Sequence, residues 1–180
     1  MWRLAPERKV FIDGRVMYED IYEVSRLIDN AYAGDIEGIP YWKAVLNRYG
    51  VSCIIIPLVS PSGSVPELIS ALLRDSEWMP VFLDRNSMIF LKDSPETYHM
   101  IQNYAFQKNY FTMALIEQYK MIIMIKPTFV QAYIAVSDFY IMLNRYKEAR
   151  AWYEKVLAIA PFNIKARKML ELLNMYRSDS

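Results

Sequence analysis

The chain has few of the residues on which most catalytic and metal sites depend. Its 180 residues include one cysteine, one histidine and five glycines. No disulfide can form within the chain, and Cys53, inside an apolar run, is expected to be a small buried residue. His99 has no cysteine or second histidine with which to share a metal, so we expect it to be solvated or to pack on its helix. The sequence therefore predicts no metal site.

Several classes of ligand also lack their usual sequence signals. Neither a GxGxxG turn nor a GxxxxGK sequence occurs, so no phosphate-binding loop and no cofactor are expected. Lys and Arg number 21 and Asp and Glu 20, so the balanced charge predicts no nucleic-acid partner. The apolar run 51–59 is much shorter than the roughly 20 residues that span a bilayer. The first residues also lack the apolar core of a signal peptide, so membrane attachment or export would depend on a missing N-terminal region.

What the chain does contain is a helical repeat in its C-terminal half. Pro127 and Pro161 lie 34 residues apart, each just after a helical stretch. The tetratricopeptide pattern places large and small residues at fixed steps between such prolines, so that one helix packs closely on the next. The residues in register with this pattern are Tyr133, Val136, Ser137, Tyr140, Ala149, Tyr153 and Pro161. The pattern predicts a tetratricopeptide-like (TPR-like) helical array over residues 94–180.

The array is expected to be short. An earlier, degenerate copy of the repeat precedes Pro127, and a capping helix follows Pro161. The residues of the earlier copy are Tyr98, Ile101, Gln102, Ala105, Phe111, Ala114, Tyr119 and Pro127. Because each repeat buries its apolar face only against a neighbour, so small an array is expected to pack against the N-terminal half.

The N-terminal half, residues 1–93, reads as a small three-layer α/β domain with the order β-α-α-β-α-β-β. Strands are predicted at 9–13, 51–56, 79–83 and 88–92, the last two joined by a four-residue turn. The β-branched run 51–56 is typical of a strand covered on both faces. Ser64 and Glu67 form a capping box for the helix before Asp75. Helices between strands favour a partly parallel sheet, with the last strand antiparallel to its neighbour.

A group of short motifs in this half resembles a known protein family. The motifs are Val10-Phe11-Ile12-Asp13-Gly14-Arg15 with Tyr18, then Trp42, Arg48-Tyr49-Gly50-Val51, Trp78, Val81-Phe82-Leu83-Asp84 and Ile89-Phe90-Leu91. Together they resemble the soluble C-terminal domain of polytopic bacterial membrane proteins related to oligosaccharyltransferase-type and mannosyltransferase-type glycosyltransferases. The resemblance covers roughly residues 8–92, and TPR repeats often follow in that family. It implies a location in the periplasm or at the cell exterior, with the catalytic residues in a membrane part outside this chain.

Two groups of residues are candidate sites. The first is the concave face of the repeat, where a protein or peptide segment would bind between the packing residues. Its residues are Gln131, Ile134, Asp138, Ile141 and Met142. The alternative for this face is that it packs against the α/β half. The second group is Asp13, Arg15 and Asp84, which lie at strand ends or turns and would line a polar site. The alternative there is that Asp13 caps its turn and Arg15 forms a structural ion pair.

The sequence thus predicts a non-catalytic interaction domain, the extracytoplasmic part of a membrane glycosyltransferase-like protein, that binds a protein partner or acceptor through its repeats. Two alternatives stay open. One is a small soluble enzyme or ligand-binding domain with its site around Asp13, Arg15 and Asp84. The other is a free TPR adaptor in the cytoplasm.

Overall fold

The computed structural model describes residues 19–31 and 34–175. Within these ranges the chain is a mixed α/β protein with eight helices and five strands. The first part of the chain contains α1 (Glu19–Asp29), β1 (Asp35–Ile36), β2 (Ile39–Pro40), α2 (Tyr41–Arg48), β3 (Cys53–Pro57), α3 (Leu68–Arg74), β4 (Trp78–Leu83) and β5 (Ser87–Lys92). The second part contains α4 (Tyr98–Tyr104), α5 (Lys108–Ile125), α6 (Val130–Met142), α7 (Tyr146–Ile159) and α8 (Ile164–Met175). The strand predicted at 9–13 lies outside the described residues.

The described strands form two antiparallel sheets, whereas the predicted sheet was partly parallel and included a strand at 9–13 that lies outside the described residues. Strands β1 and β2 form a small hairpin, and the main sheet has the order β3-β5-β4. Both neighbours of β5 run antiparallel to it. Strands β3 and β4, which α3 connects, run in the same direction but are not neighbours. Strand β5 runs the opposite way, lies between them and pairs with both. The predicted antiparallel pairing of the last two strands is confirmed, with residues 84–86 as the turn.

Strand β3 is covered on one face only, so the prediction of a strand buried on both faces is wrong. Ile56 is buried, whereas Ile55 is 70 % exposed and Phe82, on the same face of the sheet, is also exposed. Cys53 is exposed rather than buried. The physical reason is that an antiparallel sheet commonly packs one face on the core and leaves the other towards solvent.

The residues next to α2 and α3 differ in whether they cap the helix. Helix α2 ends before Gly50, which has a φ of +62° and occupies the left-handed position expected after a helix. The predicted capping box before α3 is not formed. Glu67 precedes the helix without a side-chain capping bond, and the Ser64 hydroxyl pairs with Ser60 instead. The Ser60–Ser64 loop thus uses its hydroxyl groups to hold its own turn.

Helices α5 to α8 form an array in which each helix packs against the next. Because the turns between them are only three or four residues long, successive helices run in opposite directions. Ala149 and Tyr153 of α7 are fully buried, as expected where α6 and α7 approach closely. None of the described helices is both long enough and apolar enough to cross a membrane.

The two halves of the chain share one apolar core. Buried residues of the sheet, of α2 and α3 and of the array belong to a single cluster. The Phe90 ring on β5 meets the Phe111 ring on α5 edge to face at 5.8 Å between centroids. The Tyr119 hydroxyl on α5 donates a buried hydrogen bond of 2.7 Å to the Leu58 carbonyl oxygen. The array therefore covers part of its apolar surface with the α/β half.

Candidate interaction cleft

Helix α3 lies across the open side of the helical array. Its apolar residues Leu68, Ile69, Leu72 and Leu73 are buried in the shared core. The remaining positions of the helix face helices α6 and α8 across a gap. This arrangement follows from the amphipathic pattern of α3, because burying one face of a helix directs the other residues outward. The gap between α3 and the array is the candidate site.

The gap contains two adjoining clefts that are open to solvent. The first has a volume of about 420 Å³ and the second about 450 Å³. Arg74 and Ile141 line both, so the clefts meet at these residues. Trp42 and Met169 add apolar surface to the first cleft, and Met142 adds it to the second. Together the two clefts form a mixed apolar and charged recess about the size that a small organic ligand or a few side chains would fill.

Asp138 is the acidic residue of α6 in the first cleft, and two donors hold it in place. The Tyr153 hydroxyl donates a short hydrogen bond to one carboxylate oxygen, and the Lys165 ammonium donates to the other at 2.7 Å. Burial raises the pKa of Tyr153 well above its ordinary value, and the negative charge of Asp138 raises it further. Tyr153 therefore remains a hydrogen-bond donor at physiological pH. Asp138 is a structural anchor as well as a cleft residue.

Arg74 is the cation at the junction of the two clefts. Its guanidinium forms no hydrogen bond or ion pair within the ranges 19–31 and 34–175. Lys108, which also lines the second cleft, is engaged differently, since its ammonium donates to the Asp75 carbonyl oxygen. Burial lowers the pKa of Lys108, partly offset by the charge of Asp75. With respect to the described residues, the Arg74 guanidinium is thus available to bind an anionic group.

The structure brings together three of the five residues predicted on the concave face. Asp138, Ile141 and Met142 line the clefts. Ile134 is buried in the core, so it does not present a surface to a partner. Gln131 is exposed at the first turn of α6 and lines neither cleft. The predicted binding residues are therefore partly buried in the core and partly open to the clefts.

The second predicted group of residues has a different outcome. Asp13 and Arg15 lie outside the described residues. The Asp84 carboxylate accepts hydrogen bonds from the backbone N–H groups of Asn86 and Ser87, both at 2.8 Å. These bonds hold the pKa of Asp84 below its ordinary value. Asp84 accordingly stabilises the turn between β4 and β5, as side chains of this type commonly do.

No metal centre emerges from the described ranges. Among these residues no three His, Cys, Asp or Glu side chains are placed so that they could hold a metal ion. His99 is exposed on α4, and its neighbour in space is the Asn103 amide at 3.3 Å.

Sequence reasoning did not identify Arg74, Glu67, Trp42 or Lys165 as cleft residues. Periodicity marks the array residues that face a groove, but it does not tell which distant helix lies opposite them. A signal was present in α3, where Arg74 directly follows the apolar stripe and no acidic residue lies three or four positions before it. Only the packing of α3 opposite α6 shows that Arg74 lines a cleft.

No protein-family model, no curated protein and no solved structure matches the chain.

Proposed function

We propose that this protein is a non-catalytic interaction module that binds a short segment of a protein partner in the clefts between α3 and the helical array. The observation that carries the proposal is Arg74, a cation that forms no ion pair with the described residues and lies at the junction of two clefts that also offer apolar surface. A charged group beside exposed apolar side chains suits a peptide with an acidic group and one or two large apolar residues.

We interpret the array as TPR-like. Helices α6 and α8 begin at Val130 and Ile164, and these positions are 34 residues apart. Ala149 is the small residue that lets α7 approach α6 closely, as the repeat pattern requires. The earlier copy is the weaker part of this interpretation, because α4 has only seven residues. Repeat arrays of this kind commonly bind partners on the concave side, where the clefts lie.

We place the module in an extracytoplasmic part of a membrane glycosyltransferase-like protein. The support is the set of motifs between residues 8 and 92, including Trp42, Gly50 and Trp78. In that setting the bound segment would belong to an acceptor or to a partner subunit. The chain itself would position this segment, while the chemistry would take place in a membrane part.

The test is a selection of displayed random peptides on the purified protein, followed by titration of a synthetic consensus peptide. We expect the selected peptides to carry an acidic residue next to an apolar one. Arg74→Ala should then raise Kd about 10- to 100-fold, because a charge-assisted hydrogen bond is lost.

Arg85→Ala is the matched control, since Arg85 is an exposed arginine in the turn between β4 and β5. It should bind the peptide as the wild type does. Selection of no consensus, or equal affinity of the Arg74→Ala variant, would contradict the proposal. Circular dichroism of each variant checks that the fold is unchanged.

A further inference from the structure

One end of the helical array exposes an unusual amount of apolar surface. Met124, Ile125, Phe162 and Ile164 are each between 80 and 85 % exposed. Met124 and Ile125 end α5, while Phe162 and Ile164 lie in the turn before α8 and at its first residue. Single exposed apolar residues are ordinary on a protein surface, but four large ones in equivalent turns need a physical reason.

The topology places these residues on the same side of the molecule. Consecutive helices of the array alternate in direction, so the turns 126–129 and 160–163 lie at one end and the turn 143–145 lies at the other. We call the end formed by 121–129 and 159–167 the turn end. Met121 and Ile159, which lie five positions and one position before these turns, are also exposed. The apolar surface is therefore shared by two successive turns.

The segments that form the turn end carry an excess of positive charge. Segments 118–137 and 155–170 contain six Lys and Arg residues and no Asp or Glu. These cations are Lys120, Lys126, Lys155, Lys165, Arg167 and Lys168. Lys120 pairs with Glu117 and Lys165 with Asp138, so the excess charge comes from the other four. The whole chain is almost neutral, with 21 basic and 20 acidic residues, so this is a local concentration of positive charge.

Several of these cations lie beside aromatic rings at the same end. The Arg167 guanidinium is 5.6 Å from the centroid of the Phe162 ring, and it donates a hydrogen bond of 2.7 Å to the Pro161 carbonyl oxygen. The Lys126 ammonium is 5.5 Å from the centroid of the Phe129 ring. Positive charge and apolar side chains are thus interleaved on one surface.

We propose that the turn end of the array docks on the surface of a bilayer that contains anionic lipids. Such a surface combines the two chemistries that the turn end matches. Its headgroups carry negative charge that attracts Lys and Arg, and its outer acyl region accepts apolar side chains. A nucleic acid would use the cations but leave Ile125 and Ile164 in water. The bilayer accounts for both features.

The experiment is co-sedimentation of the full chain with two kinds of lipid vesicle. One kind contains phosphatidylcholine alone, and the other contains phosphatidylcholine and phosphatidylglycerol in equal amounts. We expect the protein to bind the second kind more tightly and added salt to weaken this binding, because screening reduces the attraction of Lys and Arg to the headgroups.

Two pairs of substitutions separate the apolar and the charged contributions. Phe162→Ser with Ile164→Ser should lower the affinity for the anionic vesicles by about tenfold or more, because two inserted side chains are lost. Lys126→Gln with Arg167→Gln should lower the same affinity while leaving any binding to phosphatidylcholine vesicles unchanged. Both pairs are at exposed positions, so the fold should be retained.

The matched control is Tyr104→Ser with Tyr110→Ser. These tyrosines are 65 % and 66 % exposed and lie at the end of α4 and in the first turn of α5. Tyr110 is about 22 Å from Ile125 along α5. This control should bind like the wild type. No binding of the wild type to anionic vesicles would overturn the proposal, and so would full binding by either substituted pair. In that case an acidic protein surface would become the ligand to test.

Discussion

The Tyr119 hydroxyl and the Leu58 carbonyl oxygen form a buried hydrogen bond of 2.7 Å between residues that are 61 positions apart in the chain. Tyr119 belongs to the helical array and Leu58 to the loop after β3. Both side chains are 1 % exposed or less. This bond ties the two halves together inside the shared core.

Replacing Tyr119 with phenylalanine should destabilise the whole chain. The substitution removes the donor and leaves a buried carbonyl oxygen without this partner, which costs about 1–2 kcal/mol of unfolding free energy. Urea denaturation followed by circular dichroism measures the loss. Tyr146→Phe is the control, because its hydroxyl bonds to Asn144 on the exposed surface. A loss for Tyr119→Phe no larger than that of the control would show that the buried bond is not formed.

Enlarging Ala149 should disrupt the packing of α7 against α6. Ala149 is fully buried, so a leucine at this position would overpack the contact and cost about 1–3 kcal/mol. Ala151→Leu provides the comparison, since Ala151 is exposed on the same helix and the change there should have little effect. Thermal unfolding of the two variants gives the measurement, and the melting temperature of Ala149→Leu should be the lower one. Equal melting temperatures would mean that the helices are not packed closely at Ala149.

The ion pairs of Glu77 should make stability depend on pH in acid. The Lys43 ammonium lies 2.7 Å from the Glu77 carboxylate, and this hydrogen bond lowers the pKa of Glu77 from its ordinary value of 4.5. A lowered pKa in the folded state contributes stability above the unfolded pKa, and that contribution is lost as the pH falls through the folded value.

Glu77→Gln should therefore be less stable than the wild type at neutral pH, by less than about 1 kcal/mol because Glu77 is partly exposed. The difference should shrink as the pH falls below the ordinary pKa of 4.5 and through the lowered folded pKa. Urea midpoints of both proteins, measured at neutral pH and at a series of acidic pH values, provide the comparison. Glu96→Gln, an exposed position, is the control and should show no such change. A stability difference between Glu77→Gln and the wild type that grows in acid would contradict the lowered pKa of Glu77.

Local signals in the sequence located several features of the fold. Prolines at 127 and 161 marked the turns of the array, each just after a helix. The hairpin of β4 and β5 was also predicted, because two apolar runs flank a short polar turn. These features depend on residues that are close together in the chain.

Features that depend on distant residues could not be predicted in the same way. The run that became β3 predicted a strand, but its neighbour is β5, which follows α3 and β4 in the chain. The exposure of Ile55 and Cys53 follows from that pairing and from the single covered face of the sheet. Likewise, Asp138 and Ile141 could be placed on a concave face, whereas Arg74 joins them only because α3 packs across the array.

The central claim is that a partner segment binds in the two clefts, and methyl NMR of the methionines tests it most directly. Met169 lines the first cleft and Met142 the second, while Met124 is exposed at the turn end of the array. Titration with the selected peptide should shift the methyl signals of Met142 and Met169 and leave that of Met124 in place. Unchanged Met142 and Met169 signals at saturating peptide would contradict the claim.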